Sequence, residues 1–90
     1  MDKWKIIGSI KRGSNRLKVF LAIPVDKPIM PNELVRKMYG KVSSTDFATV
    51  SRALKELTDL KVIVLISDKN EKTGRLYKLT KQGMDVRKEI

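Results

Sequence analysis

Apolar residues recur along the chain at spacings that predict helices in some segments and strands in others. From residue 14 to residue 23 the spacing is helical, and Ser14 is a residue type that often caps a helix N-terminus. We therefore predict a first helix from Ser14 to about Ile23, because Pro24 cannot continue it. Its predicted buried side chains are Leu17, Phe20, Leu21 and Ile23.

A second helix is predicted to begin at Pro31 and to end near Gly40. Proline suits the first helical position because its missing N–H is not needed there, and glycine is common just after a helix ends. The predicted apolar stripe consists of Leu34, Val35 and Met38. The preceding residues 28–31 predict a short extended segment.

The third predicted helix covers residues 44–60 and begins with a strong capping signal. Ser43 followed three residues later by Asp46 approximates a capping box, and the carboxylate favours the positive end of the helix dipole. At 100° per residue the apolar side chains cluster on one side of this helix. They are Phe47, Val50, Ala53, Leu54 and Leu57.

The remaining pattern predicts a β-hairpin followed by a last helix. The apolar run 62–66 and the alternating run 75–79 predict two strands around the polar loop 67–74. Thr80 is the predicted cap of a helix that continues through Ile90. The order of elements predicts an α+β, mainly α fold in one domain over residues 1–90: a winged helix-turn-helix with a three-helix core, a hairpin wing and a C-terminal helix. A three-helix bundle with an incidental hairpin is the alternative.

Composition narrows the classes of function. The chain has neither cysteine nor histidine, which argues against disulfides, Cys/His zinc sites and the commonest general acid–base residue. We find no nucleophile elbow, P-loop or paired-carboxylate pattern, so we expect no enzyme activity, no metal and no cofactor. The chain also lacks an apolar run long enough for a membrane span and a secretory signal. We expect a cytoplasmic, nucleoid-associated protein.

Net charge changes this picture most. The 90 residues carry 20 Lys+Arg against 10 Asp+Glu, a formal charge of +10. Residues 1–18 hold six basic and one acidic side chain, whereas residues 41–60 hold three of each. Excess positive charge attracts the phosphates of nucleic acids, although it also favours simple solubility. A neutral segment between basic flanks is typical of a protein that positions itself on phosphates and reads bases in between.

The outward side of the third helix carries the candidate base-reading residues. Three small side chains surround one long donor there, which suits close approach to base edges in the major groove. The predicted base-reading residues are Thr45, Ala48, Thr49 and Arg52, with Arg52 as the guanine reader. Ser44, Ser51 and Lys55 are predicted to contact the DNA backbone. The alternative is a solvated face that forms the i,i+4 ion pairs Arg52–Glu56 and Lys55–Asp59.

Two further groups of basic residues flank this helix. The hairpin tip supplies Lys69, Lys72 and Arg75, which we expect at the DNA backbone or the minor groove. The alternative is a solvated loop, with Arg75 paired to Asp68. Lys11, Arg12 and Arg16 from the N-terminal cluster are predicted auxiliary phosphate contacts. We expect the apolar residues around them, including Trp4, to pack on the domain or on a second subunit.

Two segments resemble a known family. VSRALKEL at residues 50–57 with KVI at 61–63 resembles the recognition helix of MarR- and ArsR-type regulators, and GRLYKLTKQG at 74–83 resembles their wing exit. The similarity covers about residues 4–90 and is greatest to short winged-helix regulators common in archaea. It implies DNA contacts at Thr49, Ser51, Arg52 and Arg75, and a homodimer on a roughly palindromic site. The chain departs from the family at Met30, where a Ser or Thr cap is usual, and at Leu60 or Lys61, where glycine is usual.

The sequence thus predicts a protein that binds double-stranded DNA sequence-specifically and regulates transcription. The predicted partners are duplex DNA and a second copy of the chain, and no membrane. Any small-molecule effector is unknown, since no Cys or His is present for metal sensing of the ArsR kind. A winged helix that serves as a protein-interaction module and a structural RNA-binding protein are the alternatives.

Overall fold

The computed structural model describes residues 2–66 and 75–90, which form five helices and one antiparallel pair of strands. In chain order these are α1 (Lys3–Arg12), α2 (Ser14–Ala22), α3 (Pro31–Tyr39), α4 (Ser44–Asp59), β1 (Ile63–Ile66), β2 (Leu76–Leu79) and α5 (Lys81–Glu89). The α+β, mainly helical architecture is confirmed. The order of elements is compatible with a winged helix.

The N-terminal segment is a separate helix, α1, that the sequence analysis did not predict. Asp2 caps it, since its carboxylate accepts the N–H of Trp4 at 3.2 Å. The inward side chains Ile6 and Ile10 are completely buried, whereas Trp4 is 64% exposed. Three apolar residues within five positions are therefore enough to dock this short helix on the core, although Trp4 lies outside it.

Two predictions for α2 are wrong. Gly13, not Ser14, is its N-cap, and no side-chain hydrogen bond caps this end. Leu21 is 42% exposed, whereas Val19 is completely buried. The helix begins one residue earlier than predicted, and its packing against α1 and α4 buries Val19 and Phe20.

The boundaries of α3 follow the sequence signals. Pro31 is its first residue, and Gly40 ends it with φ of 82°, in the left-handed region where a side chain would be strained. Met30, the N-cap, forms no side-chain cap, but the Glu33 carboxylate accepts the backbone N–H of Met30 at 3.4 Å. The N-terminus of α3 is therefore weakly capped, as Met30 predicts. The hydrogen bond from Met30 to Glu33 compensates in part for the missing side-chain cap.

The start of α4 is confirmed, but one predicted core residue is not. The Ser43 hydroxyl accepts the N–H of Asp46 at 3.2 Å and donates to the Asp46 carboxylate at 2.9 Å. Val50, Ala53, Leu54 and Leu57 are buried. Phe47 is 38% exposed, because it lies at the edge of the buried stripe and faces the hairpin.

The hairpin pairs in the register Ile63↔Leu79 to Ile66↔Leu76. On its other edge β2 pairs with the extended segment before α3, where Ile29 and Tyr77 exchange two backbone hydrogen bonds of 2.9 Å. The short extended piece predicted at residues 28–31 is thus confirmed. Lys61, in the turn between α4 and β1, has φ of 63° and occupies the left-handed position that favours glycine.

All five helices and the hairpin contribute to one apolar core. The last helix, α5, is capped by the Thr80 hydroxyl, which accepts the N–H of Gly83 at 2.9 Å as predicted. Its Arg87 donates to three carbonyl oxygens at the end of α2, those of Phe20, Leu21 and Ile23, at 2.7–2.9 Å. In the described part of the chain, no helix has the length and apolar character needed to cross a bilayer.

Candidate nucleic-acid interface

The side of α4 that faces away from the core is a continuous exposed surface. Because successive residues are rotated by 100°, the positions opposite Val50 and Leu57 can be identified directly. We define the outer face of α4 by the residues at these positions, all of which are exposed: Ser44, Ala48, Arg52, Lys55 and Asp59. The predicted guanine reader therefore lies on a surface that nothing in the described chain covers.

The two threonines of the predicted base-reading set lie toward one edge of this face. Thr45 is exposed, and Thr49 is half-buried beside α2. The Thr49 hydroxyl donates to the carbonyl oxygen of Thr45 at 3.0 Å, so its methyl group and oxygen lone pairs remain for other contacts. With Arg52, Thr49 lines a polar hollow that also contains Ser14 and Asn15 at the start of α2. The structure thus brings all four predicted residues onto adjoining parts of one surface.

The acidic residues of α4 do not neutralise Arg52 in the way the alternative interpretation requires. Glu56 pairs instead with Arg16 of α2, whose guanidinium lies 2.8 Å from its carboxylate. Within residues 2–66 and 75–90, neither Arg52 nor Lys55 forms an ion pair. Arg16 therefore connects α2 to α4, and its predicted auxiliary contact to phosphate stays a prediction.

On the opposite edge of α4 lies an open groove between this helix, the hairpin and the start of α3. Its volume is about 960 Å³. We call it the α4–hairpin groove. Its apolar wall consists of Met30, Pro31, Phe47, Leu65 and Tyr77, and its cations are Arg52, Lys55 and Arg75. Ser51 and Asp59 also line it. Arg52 borders both the groove and the polar hollow, so it occupies the centre of the surface.

The other predicted contact residues divide into two groups. Arg75 is exposed and lies across the groove from α4. Lys11 and Arg12 are exposed at the C-terminal end of α1, next to Gly13, which lines the polar hollow. Lys69 and Lys72 lie outside the described residues, as do Gly74 and Asp68, so their roles stay predictions.

The apolar wall of the groove was not predicted, and Phe47 and Leu65 are its most exposed members. Phe47 was assigned to the core, and the wholly apolar run of β1 gives no alternation that separates an inward from an outward side. The strand in fact buries only Ile63, and Leu65 is 41% exposed.

Comparison of the chain with protein-family models, with curated protein sequences and with solved structures found no match.

Proposed function

We propose that this protein binds double-stranded DNA as a winged helix-turn-helix and regulates transcription. In this proposal α4 enters the major groove, and the hairpin with its 67–75 wing contacts the adjacent backbone or minor groove. The observation that carries the proposal is the outer face of α4. It is exposed, it has the low relief of Ser44 and Ala48, and it presents an arginine without an ionic partner in the described chain.

The chemistry of this surface suits base reading. An arginine can donate two parallel hydrogen bonds to O6 and N7 of guanine, which distinguishes guanine from the other bases in the major groove. Ala48 is small enough to let the helix approach and offers a methyl group to thymine. Lys55 and Arg75 lie on the groove side, where phosphates of one strand would pass.

Basic residues at the end of α1, on the side of α4 away from the groove, support the same orientation of the duplex. Lys11 and Arg12 lie at the end of α1 that adjoins the polar hollow, so a duplex seated on α4 would bring phosphates toward them. Homodimer formation stays a prediction, and exposed Trp4 on α1 is the residue at which to look for it.

The test is a selection of bound duplexes from random DNA, followed by fluorescence anisotropy on the selected duplex and on scrambled ones. We expect Arg52→Ala to weaken binding of the selected duplex by about 10-fold or more and of scrambled duplexes much less, because one bidentate contact contributes about 1–3 kcal/mol of discrimination. Lys55→Ala is the matched control on the same helix. It should weaken all duplexes evenly and reduce the salt slope of log K by about 1.

Three results would contradict the proposal. An equal loss on all duplexes for Arg52→Ala would remove the base-reading role. Preference for structured RNA over duplex DNA at equal salt would favour the RNA-binding alternative. Absence of salt-sensitive duplex binding, together with a co-purifying protein partner, would favour the interaction module.

A further inference from the structure

The α4–hairpin groove combines two properties that a surface for phosphate binding alone does not need. Among the described residues, Arg52, Lys55 and Arg75 bring three cations to the groove, against one carboxylate, that of Asp59. Between them stands the apolar wall, in which Phe47 and Leu65 are respectively 38% and 41% exposed. Exposed apolar side chains beside cations fit an occupant that alternates charged and apolar groups.

One strand of a nucleic acid has this alternation. Its phosphates repeat along the backbone, and a sugar joins each to the next. The sugar of DNA presents a CH₂ group at its 2′ position, whereas the sugar of RNA presents a hydroxyl there. Against an apolar wall the hydroxyl loses its water without gaining a hydrogen bond, which is unfavourable. Asn32, Ser51 and Thr58 are the uncharged polar side chains of the groove, and the Thr58 hydroxyl already donates to the carbonyl oxygen of Leu54 at 2.7 Å. The penalty on ribose is therefore expected only where a sugar lies against the apolar side chains.

We infer that the α4–hairpin groove holds one strand of the bound duplex and selects deoxyribose over ribose by placing the sugars against Phe47 and Leu65. Arg75 and Lys55 hold the phosphates on either side of these sugars. The inference rests on the proposed function, and it assigns to Phe47 a specificity role toward the sugar rather than toward the base.

The location of Phe47 supports this division of roles. It lies on the hairpin side of α4, about 100° around the helix from the centre of the outer face. Arg52, by contrast, lies on the outer face itself, so base contact and sugar contact fall to different edges of one helix. Leu65 faces Phe47 across the groove and pairs with Tyr77, which bonds the Ile29 backbone and makes this wall part of the sheet.

The experiment scans single ribonucleotides through the selected duplex. Each position of each strand is changed in turn from deoxyribose to ribose, and the dissociation constant is measured by fluorescence anisotropy. We expect one or two adjacent positions on one strand to weaken wild-type binding by about 5- to 10-fold, with other positions changing by less than about 2-fold. A ribose also changes the local sugar pucker, so the part of the loss that reports the protein contact is the part that the groove variants remove.

The variants Phe47→Ala and Leu65→Ala should remove most of this ribose penalty. Both should also weaken the all-DNA duplex by several-fold while leaving the salt slope unchanged, because the contact they remove releases no counterion. Leu21→Ala is the matched control, since Leu21 has nearly the same exposure, 42%, but lies on α2 outside the groove. It should keep both the affinity and the ribose penalty. Circular dichroism on each variant verifies folding.

Failure of the inference and failure of the proposed function give different results. If the wild type binds duplex but tolerates ribose at every position, or if both groove variants keep the penalty, the sugar role is wrong and base reading by Arg52 stands. If the wild type binds no duplex, the proposed function falls and this inference falls with it.

Discussion

The outer face of α4 and the inner face of α5 use the same kinds of side chain in opposite ways. On α5, Arg87 donates to three carbonyl oxygens of α2, and Gln82 donates to the carbonyl oxygen of Leu60 at 3.2 Å. The Thr80 hydroxyl, at the start of this helix, donates to the carbonyl oxygen of Lys61 at 2.8 Å. On α4, Arg52 has no such partner within the described residues.

This difference shows why a count of charges overstates the surface available to a polyanion. Arg87 and Arg16 satisfy groups of the protein itself, and Lys3 on α1 pairs with Glu89 at 3.2 Å. These three side chains therefore use their positive charges in contacts between helices of the protein itself. Arg52, Lys55 and Arg75 of the α4 face and groove, by contrast, form no ion pair within the described residues.

The largest change in the free energy of unfolding should come from Gly83→Ala in α5. A Cβ on Gly83 would overlap the carbonyl oxygen of Val62, a backbone atom that the Thr80 N–H also binds. We expect the free energy of unfolding to fall by about 3 kcal/mol, as measured by urea denaturation. Gly8→Ala in α1 is the control, because its Cβ meets no atom within 4 Å. It should stabilise the protein by about 0.5–1 kcal/mol, and an equal loss in both variants would refute the steric explanation.

Arg87 and Arg52 provide the direct test of the comparison between α5 and α4. Arg87→Met should lower the free energy of unfolding by about 2 kcal/mol, because the carbonyl oxygens at the end of α2 lose charge-assisted hydrogen bonds. Arg52→Met, the same substitution on α4, should change it by less than about 0.5 kcal/mol. Thermal melts of both variants provide the measurement. A large loss of stability at Arg52 would mean that this side chain serves the fold rather than a ligand.

A smaller effect is expected at the turn that joins α4 to the hairpin. Lys61 holds a left-handed conformation that costs a side-chain-bearing residue energy and glycine little. Lys61→Gly should therefore stabilise the protein by about 1 kcal/mol, although glycine's freedom in the unfolded chain offsets part of this gain. Lys61→Ala removes the charge but keeps the strain, and should leave stability nearly unchanged. A gain from alanine as large as that from glycine would assign the effect to charge.

Elements with local signals at their ends were predicted well. Pro31 begins α3 and Gly40 ends it, whereas Ser43 and Thr80 cap the N-termini of α4 and α5 through hydrogen bonds to residues three positions on. Phe47 was misassigned because helical periodicity gives a direction around α4 but not the distance to the hairpin. The separate helix α1 was missed because its three isoleucines acquire a partner only when α2 and α5 pack on them.

The sequence by itself determined the elements from α3 to α5, the net charge and the presence of Arg52 among small side chains, because these depend on neighbours along the chain. Only the tertiary structure decided which cations remain available. It joined Glu56 to Arg16 and Arg87 to the end of α2, and it set Phe47 opposite Leu65 across the groove. These contacts join residues that are far apart in the sequence. The pattern of apolar and polar residues along the chain does not indicate which distant side chains come into contact in the folded protein.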